Sequence, residues 1–186
     1  MNDKRRVHVS KFLSKYLRHH PESLGLTLQA GGWVPVEELL EACAKHRFPV
    51  TAEELQEVVA TSDKKRFAFD ETGECIRANQ GHSVEIDLQL QPVEPLPFLY
   101  HGTAAQIVPV ILQEGLRKMQ RHHVHLSKDI ATARKVGARR GKPVILCIDA
   151  AGMFQDGYQF FVSANGVWLT DGVPPHYLRI VFEAIT

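Results

Sequence analysis

Phe12, Leu13, Tyr16 and Leu17 recur at helical spacing after Ser10, and Pro21 ends the run just beyond Arg18-His19-His20. This pattern predicts a first helix capped by Ser10 whose basic C-terminal end is exposed. A second helix fits 35–46, with Pro35 at its start and Val36, Leu39, Leu40 and Cys43 on one face. A third begins at Thr51, where Thr51 and Glu54 form a capping-box pattern ahead of Leu55, Val58 and Val59. Arg66–Phe69 and Cys75–Ala78 then read as two short strands around the turn signal Asp70-Glu71-Thr72-Gly73. Three helices followed by a hairpin predict a winged-helix lobe.

The segment QLQPVEPLP, residues 89–97, carries three prolines and no periodicity, which marks a linker. A boundary near Pro92–Pro97 divides the chain into 1–92 and 93–186. Beyond it the pattern predicts a strand at 98–101, a helix at about 104–114 ended by Gly115, a strand at Val124–Leu126 and a helix near 129–138. The run PVILCID reads as a fully apolar strand, followed by short strands near 159–162, 166–169 and 178–183. The fold class expected is α+β, with no internal repeat or low-complexity tract.

Composition sharpens this picture in three ways. The 186 residues allow one domain or two small ones, and 44% hydrophobic content suffices for a buried core. A net charge of +1 means that any nucleic-acid contact must come from locally concentrated charge. Such a concentration exists: Lys4, Arg5, Arg6, Lys11, Lys15 and Arg18 stand near the single acid Asp3, whereas Glu37, Glu38, Glu41, Glu53, Glu54 and Glu57 cluster further on. Cys43, Cys75 and Cys147 are odd in number, far apart and set among apolar neighbours, so they read as reduced core residues. The start, MNDKRRVHVS, lacks the apolar core of a signal peptide, and no apolar run approaches the roughly 18 residues of a membrane span. A soluble, cytoplasmic protein is expected, and a monomer, since no heptad or apolar stripe demands a partner.

The stretch KKRFAFDETGECIRANQGHS joins a basic cluster, a hairpin and the run Gln80-Gly81-His82-Ser83, a combination that suggests an anion site. Arg18 and His19 fit helix C-capping as well as function, Arg66 fits a solvated strand start, and Arg139 with Arg140, between Gly137 and Gly141, fits a polar helix exit. Together the three places supply guanidinium forks that bind phosphate bidentately. His122, His123 and His125 do not predict a metal site: only alternate strand residues share a face, and neither HExxH nor a paired acid is present. His101-Gly102-Thr103 and His125-Leu126-Ser127 read as two strand ends delivering polar groups to one cleft, with Gly102 permitting close backbone approach to a ligand. Hydrogen-bonded strand termini are the competing reading. GxGxxG, GxxxxGK[ST] and GxSxG are all missing, which argues against a Rossmann dinucleotide fold, a triphosphate P-loop and a nucleophile elbow. Asn165-Gly166-Val167-Trp168 predicts a hairpin turn with a core or stacking Trp168, the core reading being favoured.

Taken in order, SKFLSKYLRH, WVPVEELL, ATSDKKRF, IRANQGHS, LYHGT, HVHLS, ARKVGARRGKPV and NGVWLT resemble the successive blocks of the NAD-dependent RNA 2′-phosphotransferases, from about residue 8 to 180. The resemblance implies an N-terminal winged-helix RNA lobe and a C-terminal lobe of the ADP-ribosyltransferase type. It implies NAD as co-substrate, an RNA bearing an internal 2′-phosphate as partner, and two steps. The 2′-phosphate attacks the nicotinamide ribose and expels nicotinamide; the neighbouring ribose hydroxyl then attacks that phosphate. The products are 2′-OH RNA and ADP-ribose 1″,2″-cyclic phosphate.

The family's catalytic Arg-His-Arg-Arg set carries over to Arg18, His19, Arg66 and, by the VGxR spacing, Arg139, with the neighbouring Arg140 left without a role. His101, Gly102, Thr103, His125 and Ser127 fall where the family holds NAD, with Asn165 and Trp168 lining the same cleft. Lys11, Lys15, Lys64, Lys65 and Arg77 are candidates for flanking RNA phosphates, each equally readable as a solvated basic face. The Gln80–Ser83 block is assigned to either RNA or a lobe interface. A protein-modifying ADP-ribosyltransferase commonly has a catalytic Glu, but the C-terminal half holds only Glu94, Glu114 and Glu183, none in a Glu-x-Glu pattern. Two rivals stand beside this reading: a transferase that stops after capping a terminal nucleic-acid phosphate, and a winged-helix nucleic-acid-binding protein without catalysis.

Overall fold

Asn2 and not Ser10 opens the first helix. Its side chain accepts from Arg5 N at 2.8 Å, so α1 runs Asp3–Arg18 and Ser10 lies mid-helix. The first two turns are polar and escape an apolar-period reading, but Arg5 fixes them by donating from Nε and Nη2 to the two Glu54 oxygens, each at 2.9 Å. That fork holds the Glu54 carboxyl below the ordinary carboxylate range. Arg5 is thereby engaged within the protein, and the basic N-terminal cluster is smaller than its residue count suggests.

The computed structural model describes residues 1–62 and 64–181, with Arg140 by its backbone. They form two compact units that divide between Gln89 and Leu90, ahead of Pro92. Both mix helix with sheet. In the first unit, α1 is followed by β1 (Trp33–Pro35), α2 (Val36–Lys45), α3 (Ala52–Ala60), β2 (Phe67–Phe69) and β3 (Cys75–Ala78). The expected capping box is present: Thr51 Oγ1 accepts from Glu54 N at 3.2 Å, and Glu54 Oε2 accepts from Thr51 N at 3.3 Å. The hairpin gains an unexpected third strand, giving the antiparallel order β1-β3-β2 with Trp33 opposite Arg77. Leu13, Leu17, Leu39, Leu55 and Ile76 meet in its core.

The second unit contains β4 (Phe98–Ala104), α4 (Val108–Glu114), β5 (Leu116–Arg117), β6 (Val124–Leu126), α5 (Ile130–Gly137), β7 (Pro143–Asp149), α6 (Ala150–Gln155), β8 (Phe160–Val162), β9 (Trp168–Thr170), β10 (Gly172–Val173) and β11 (Leu178–Ile180). The apolar run PVILCID is the central strand of β11-β7-β4, buried from Ile145 to Ile148. A second sheet is ordered β6-β9-β8, and a small β10-β5 pair completes the set. Backbone bonds between Tyr100 and Ser127, at 2.8 and 2.7 Å, bring β4 alongside the end of β6.

Short α6 was not legible as a helix; Asp149 caps it by accepting from Gly152 N at 3.0 Å. The last expected strand is described only to Ile180, and its end at 182–183, with Glu183, lies outside the described residues. Cys43 and Cys147 are buried and free, but Cys75 is half-exposed because it sits at a strand end beside the turn, which corrects its core reading. Among the described residues no helix is long and apolar enough to cross a membrane.

Candidate active site

Three segments distant in sequence converge at the C-terminal end of α1. Arg18 Nη2 donates to the Arg66 carbonyl at 3.4 Å, and its guanidinium lies 5.9 Å from the centre of the Phe67 ring. The expected exposure of this helix end is therefore only partial: Arg18, His19 and Arg66 are each half-buried. His19 is the C-cap of α1, its N–H bonded to Lys15 O, while its ring Nδ1 lies 2.9 Å from Ser83 Oγ. Ser83 N in turn donates to Arg18 O at 2.9 Å. A Ser83-centred pair of bonds thus ties the Gln80–Ser83 block back onto the arginine and histidine at the helix end.

Asn79 steadies the other side. Its Nδ2 donates to Lys65 O at 2.6 Å and its backbone N donates to Arg66 O at 2.9 Å, which anchors the turn where Lys65 adopts a φ of 38°. Asn79 was not singled out from sequence, and Ser83 only as a member of a block open to RNA or a lobe interface. Their signal was the IRANQGHS block, but a block cannot say which of its members bonds to a residue at the far end of the unit.

The five candidate RNA cations separate. Lys11, Lys64 and Lys65 are exposed, and Lys11 and Lys64 line the same groove as Arg66. Lys15 faces elsewhere, 4.9 Å from the centre of the Tyr16 ring. Arg77 is half-buried, its guanidinium 4.4 Å from the Trp33 ring centre and Nη1 3.3 Å from Gly31 O, and burial lowers its pKa. Packing occupies Arg77 where exposure was expected.

In the second unit the two His-containing strand ends adjoin. The Nδ1–H of His101 donates to the His125 carbonyl at 3.0 Å, which leaves Nε2 with its lone pair. Burial lowers the His101 pKa, with the His125 carbonyl opposing that shift, so the ring is neutral at physiological pH. Arg121 Nη1 donates to His125 Nδ1 at 3.1 Å, an arrangement open only to a neutral imidazole. Ser127 follows at the β4 bridge, and Trp168 stands opposite Leu126 while packing on the core, as its residue type predicted. Asn165 lies in the β8–β9 turn, where its Oδ1 accepts from Ser163 Oγ at 2.7 Å. The result is a polar surface with an aromatic neighbour, on which Arg121 carries a positive charge beside His125.

Gly102 does permit a close approach, but the neighbour is α5. A Cβ at Gly102 would fall 1.7 Å from Ala133 O and 3.0 Å from Gly137 N, and a Cβ at Gly137 would fall 3.0 Å from Gly102 C and Thr103 N. Two facing glycines let the helix sit directly on β4, and Thr103 is buried beneath it. Arg139 belongs to the 3-10 turn Ala138–Arg140 that continues α5, and its side chain is exposed. Among the described residues no group of three or more His, Cys, Asp or Glu is placed to hold a metal ion.

The sequence profile described as RNA 2′-phosphotransferase, Tpt1/KptA family, matches residues 4–172. The chain is 62% identical over 181 residues to a probable RNA 2′-phosphotransferase of Trichormus variabilis, covering 97% of this chain and all of that protein. It is 55% identical over 187 residues to one from Streptomyces griseus, covering 97% and 99%, and 52% identical over 179 residues to one from Flavobacterium johnsoniae, covering 96% and 98%.

Proposed function

Because the chain belongs to the RNA 2′-phosphotransferase family, we propose that it removes an internal 2′-phosphate from RNA by transferring it to NAD. The first unit serves as a winged-helix RNA lobe and the second as an ADP-ribosyltransferase-like lobe that takes NAD as co-substrate. The observation that carries this reading is the convergence of Arg18, His19 and Arg66 through Ser83 and the Arg66 carbonyl. A guanidinium fork and an oriented imidazole at one helix end, with Arg66 joined to them through its carbonyl, support a site for a dianionic phosphate monoester.

In the first step a 2′-phosphate oxygen forms a bond to the anomeric carbon of the nicotinamide ribose as the bond to the nicotinamide nitrogen breaks. A phosphate is already anionic at neutral pH, so this step calls for positioning and charge stabilisation more than for a general base. Arg18, Arg66 and Arg139 supply these. His101, Ser127 and their neighbours hold the ribose and amide, and the neutrality of His101 avoids repelling the positive charge of the nicotinamide ring. Gly102 contributes by seating α5 and Thr103 by its place beneath that helix.

In the second step the adjacent ribose hydroxyl loses its proton and bonds to phosphorus. The bond from phosphorus to the RNA 2′-oxygen breaks, and that oxygen takes up a proton. His19 is the proton-handling group, since an imidazole both donates and accepts a proton and this one is fixed in orientation by Ser83. RNA with a free 2′-OH and ADP-ribose 1″,2″-cyclic phosphate leave.

The test is incubation with an RNA carrying one internal 2′-phosphate, with and without NAD, following both RNA and nucleotide products. NAD-dependent appearance of the cyclic phosphate and 2′-OH RNA is expected. ADP-ribosylated RNA as the end product would instead identify a transferase that stops after one step, and unchanged RNA would overturn the enzymatic reading.

A further inference from the structure

One face of α1 is not spent on the core. Arg6, Ser10 and Ser14 stand four residues apart and so line up along the helix, and the next position of that ladder is Arg18. Opposite this face lie Val58 of α3 and the segment after it, with Thr61, Lys64 and Arg66, and the two sides enclose a groove of about 410 Å³. The cations Arg6, Lys11, Lys64 and Arg66 line the groove together with the short hydroxyls Ser10, Ser14, Thr61 and Ser62, the buried Val58 and the exposed Val7. No acid is among the described residues that line it. Arg6 Nη2 does bond to Asp3 Oδ1 at 2.6 Å, but Asp3 is exposed, and a solvated pair of this kind yields readily to a stronger anion.

We propose that this groove carries the RNA strand adjoining the 2′-phosphorylated nucleotide, with its cations and hydroxyls on successive backbone phosphates. The inference rests on the reading of Arg18 and Arg66 as ligands of the 2′-phosphate, and extends it along α1. The α1 lining of the groove runs from Arg6 to Ser14, a rise of about 12 Å, and Arg18 follows one turn beyond it, so the ladder is longer than one phosphate requires. A receptor for a single anion would gather its cations; here they are strung out, as a polyanionic strand demands. Among the described residues no aromatic ring lines the groove, and the available contacts are to charge and to sugar. Binding along it is therefore indifferent to base sequence and strongly salt-dependent. Lys15, turned toward Tyr16, lies off this path.

The test compares two 2′-phosphorylated substrates, a dinucleotide too short to enter the groove and a longer single strand of mixed sequence, in the wild type, Arg6→Gln and Ser14→Asp. Both variants are expected to raise KM for the long strand by about fivefold to tenfold with kcat retained, and to lower the salt slope of binding by about 1. KM for the dinucleotide should move less than twofold. Equal losses on both substrates, or none on either, would overturn the groove assignment. Should the wild type turn over neither substrate with NAD, the proposed reaction fails, but the groove is still read by anisotropy of a labelled RNA without a 2′-phosphate. In that arm weaker binding by both variants supports the path, and wild-type affinity in both overturns it. Arg6→Gln, at a half-buried helix-surface position, keeps the comparison valid if Ser14→Asp lowers the melting temperature.

Discussion

A Cβ at Gly102 would fall 1.7 Å from the carbonyl oxygen of Ala133, so the strand that bears His101 and the helix that leads to Arg139 touch backbone to backbone. No side chain fits between them. One glycine contact thus links the placement of the proposed NAD-contacting histidine to that of a proposed catalytic arginine.

Gly102→Ala should accordingly force α5 off β4. The neighbouring atoms are main chain and cannot swing aside, so a cost at or above the usual overpacking range of about 1–3 kcal/mol is expected. Thermal denaturation checks this, and a variant with the wild-type melting temperature would show that the helix is not seated there.

Ser83→Ala removes the partner of His19 Nδ1 while leaving the Ser83 backbone bond to Arg18 O in place. Stability should change little, since the hydroxyl lies at an exposed position. The second step should slow by about tenfold or more as the imidazole loses its orientation, and ADP-ribosylated RNA should then accumulate. Ser83→Thr, which keeps a hydroxyl, should restore most of the rate; equal rates for alanine and serine would remove Ser83 from the site.

Arg139 is exposed and makes a surface substitution cheap, so Arg139→Ala should melt near the wild type. Turnover of 2′-phosphorylated RNA should nonetheless fall by about 10²-fold or more if the guanidinium meets the phosphate. Arg139→Lys should not restore it, because a point charge lacks the planar fork. Single-turnover assays at saturating NAD distinguish this from a binding defect, and unaltered turnover in Arg139→Ala would pass its role to another cation.

Burial depresses the His101 pKa, which makes stability depend on pH with a defined sign. Above the ordinary histidine pKa of 6.5 folded and unfolded forms are both neutral, and the full contribution is present. As pH falls below 6.5 the unfolded chain takes up a proton that the folded form resists, so stability declines until the folded ring also titrates. The slope from this group reaches at most about 1.4 kcal/mol per pH unit. His123, depressed chiefly by burial, acts in the same direction. The His101 share is therefore read as the difference between wild type and His101→Gln in denaturant titrations across this window. Parallel curves would mean that His101 is solvated in the folded state.

Much of this protein was legible without coordinates because the relevant signals are short-ranged. The apolar faces of α2 and α3, the Thr51–Glu54 box, the Asp70–Gly73 turn and the apolar β7 run each follow from residues a few positions apart. The order and spacing of eight blocks pointed to the family before any geometry was known. Where local signals were weak the reading slipped: polar first turns hid the start of α1 at Asp3, and strands of two or three residues such as β1, β5 and β10 have too little pattern to announce themselves.

Tertiary structure alone decided which groups meet. His19 and Ser83 are 64 positions apart, and only the packing of β3 and the chain that follows it against the end of α1 makes them partners. Arg77 has the composition of an RNA contact, yet its position opposite Trp33 in the sheet commits it to that ring. Gly102 has the look of a ligand-facing glycine, yet a helix fills the space above it. Residue type and spacing determine what a side chain is able to do, through its charge, its donors and its helical or strand neighbours. What it touches is set by long-range burial, which gathers segments that share no local pattern.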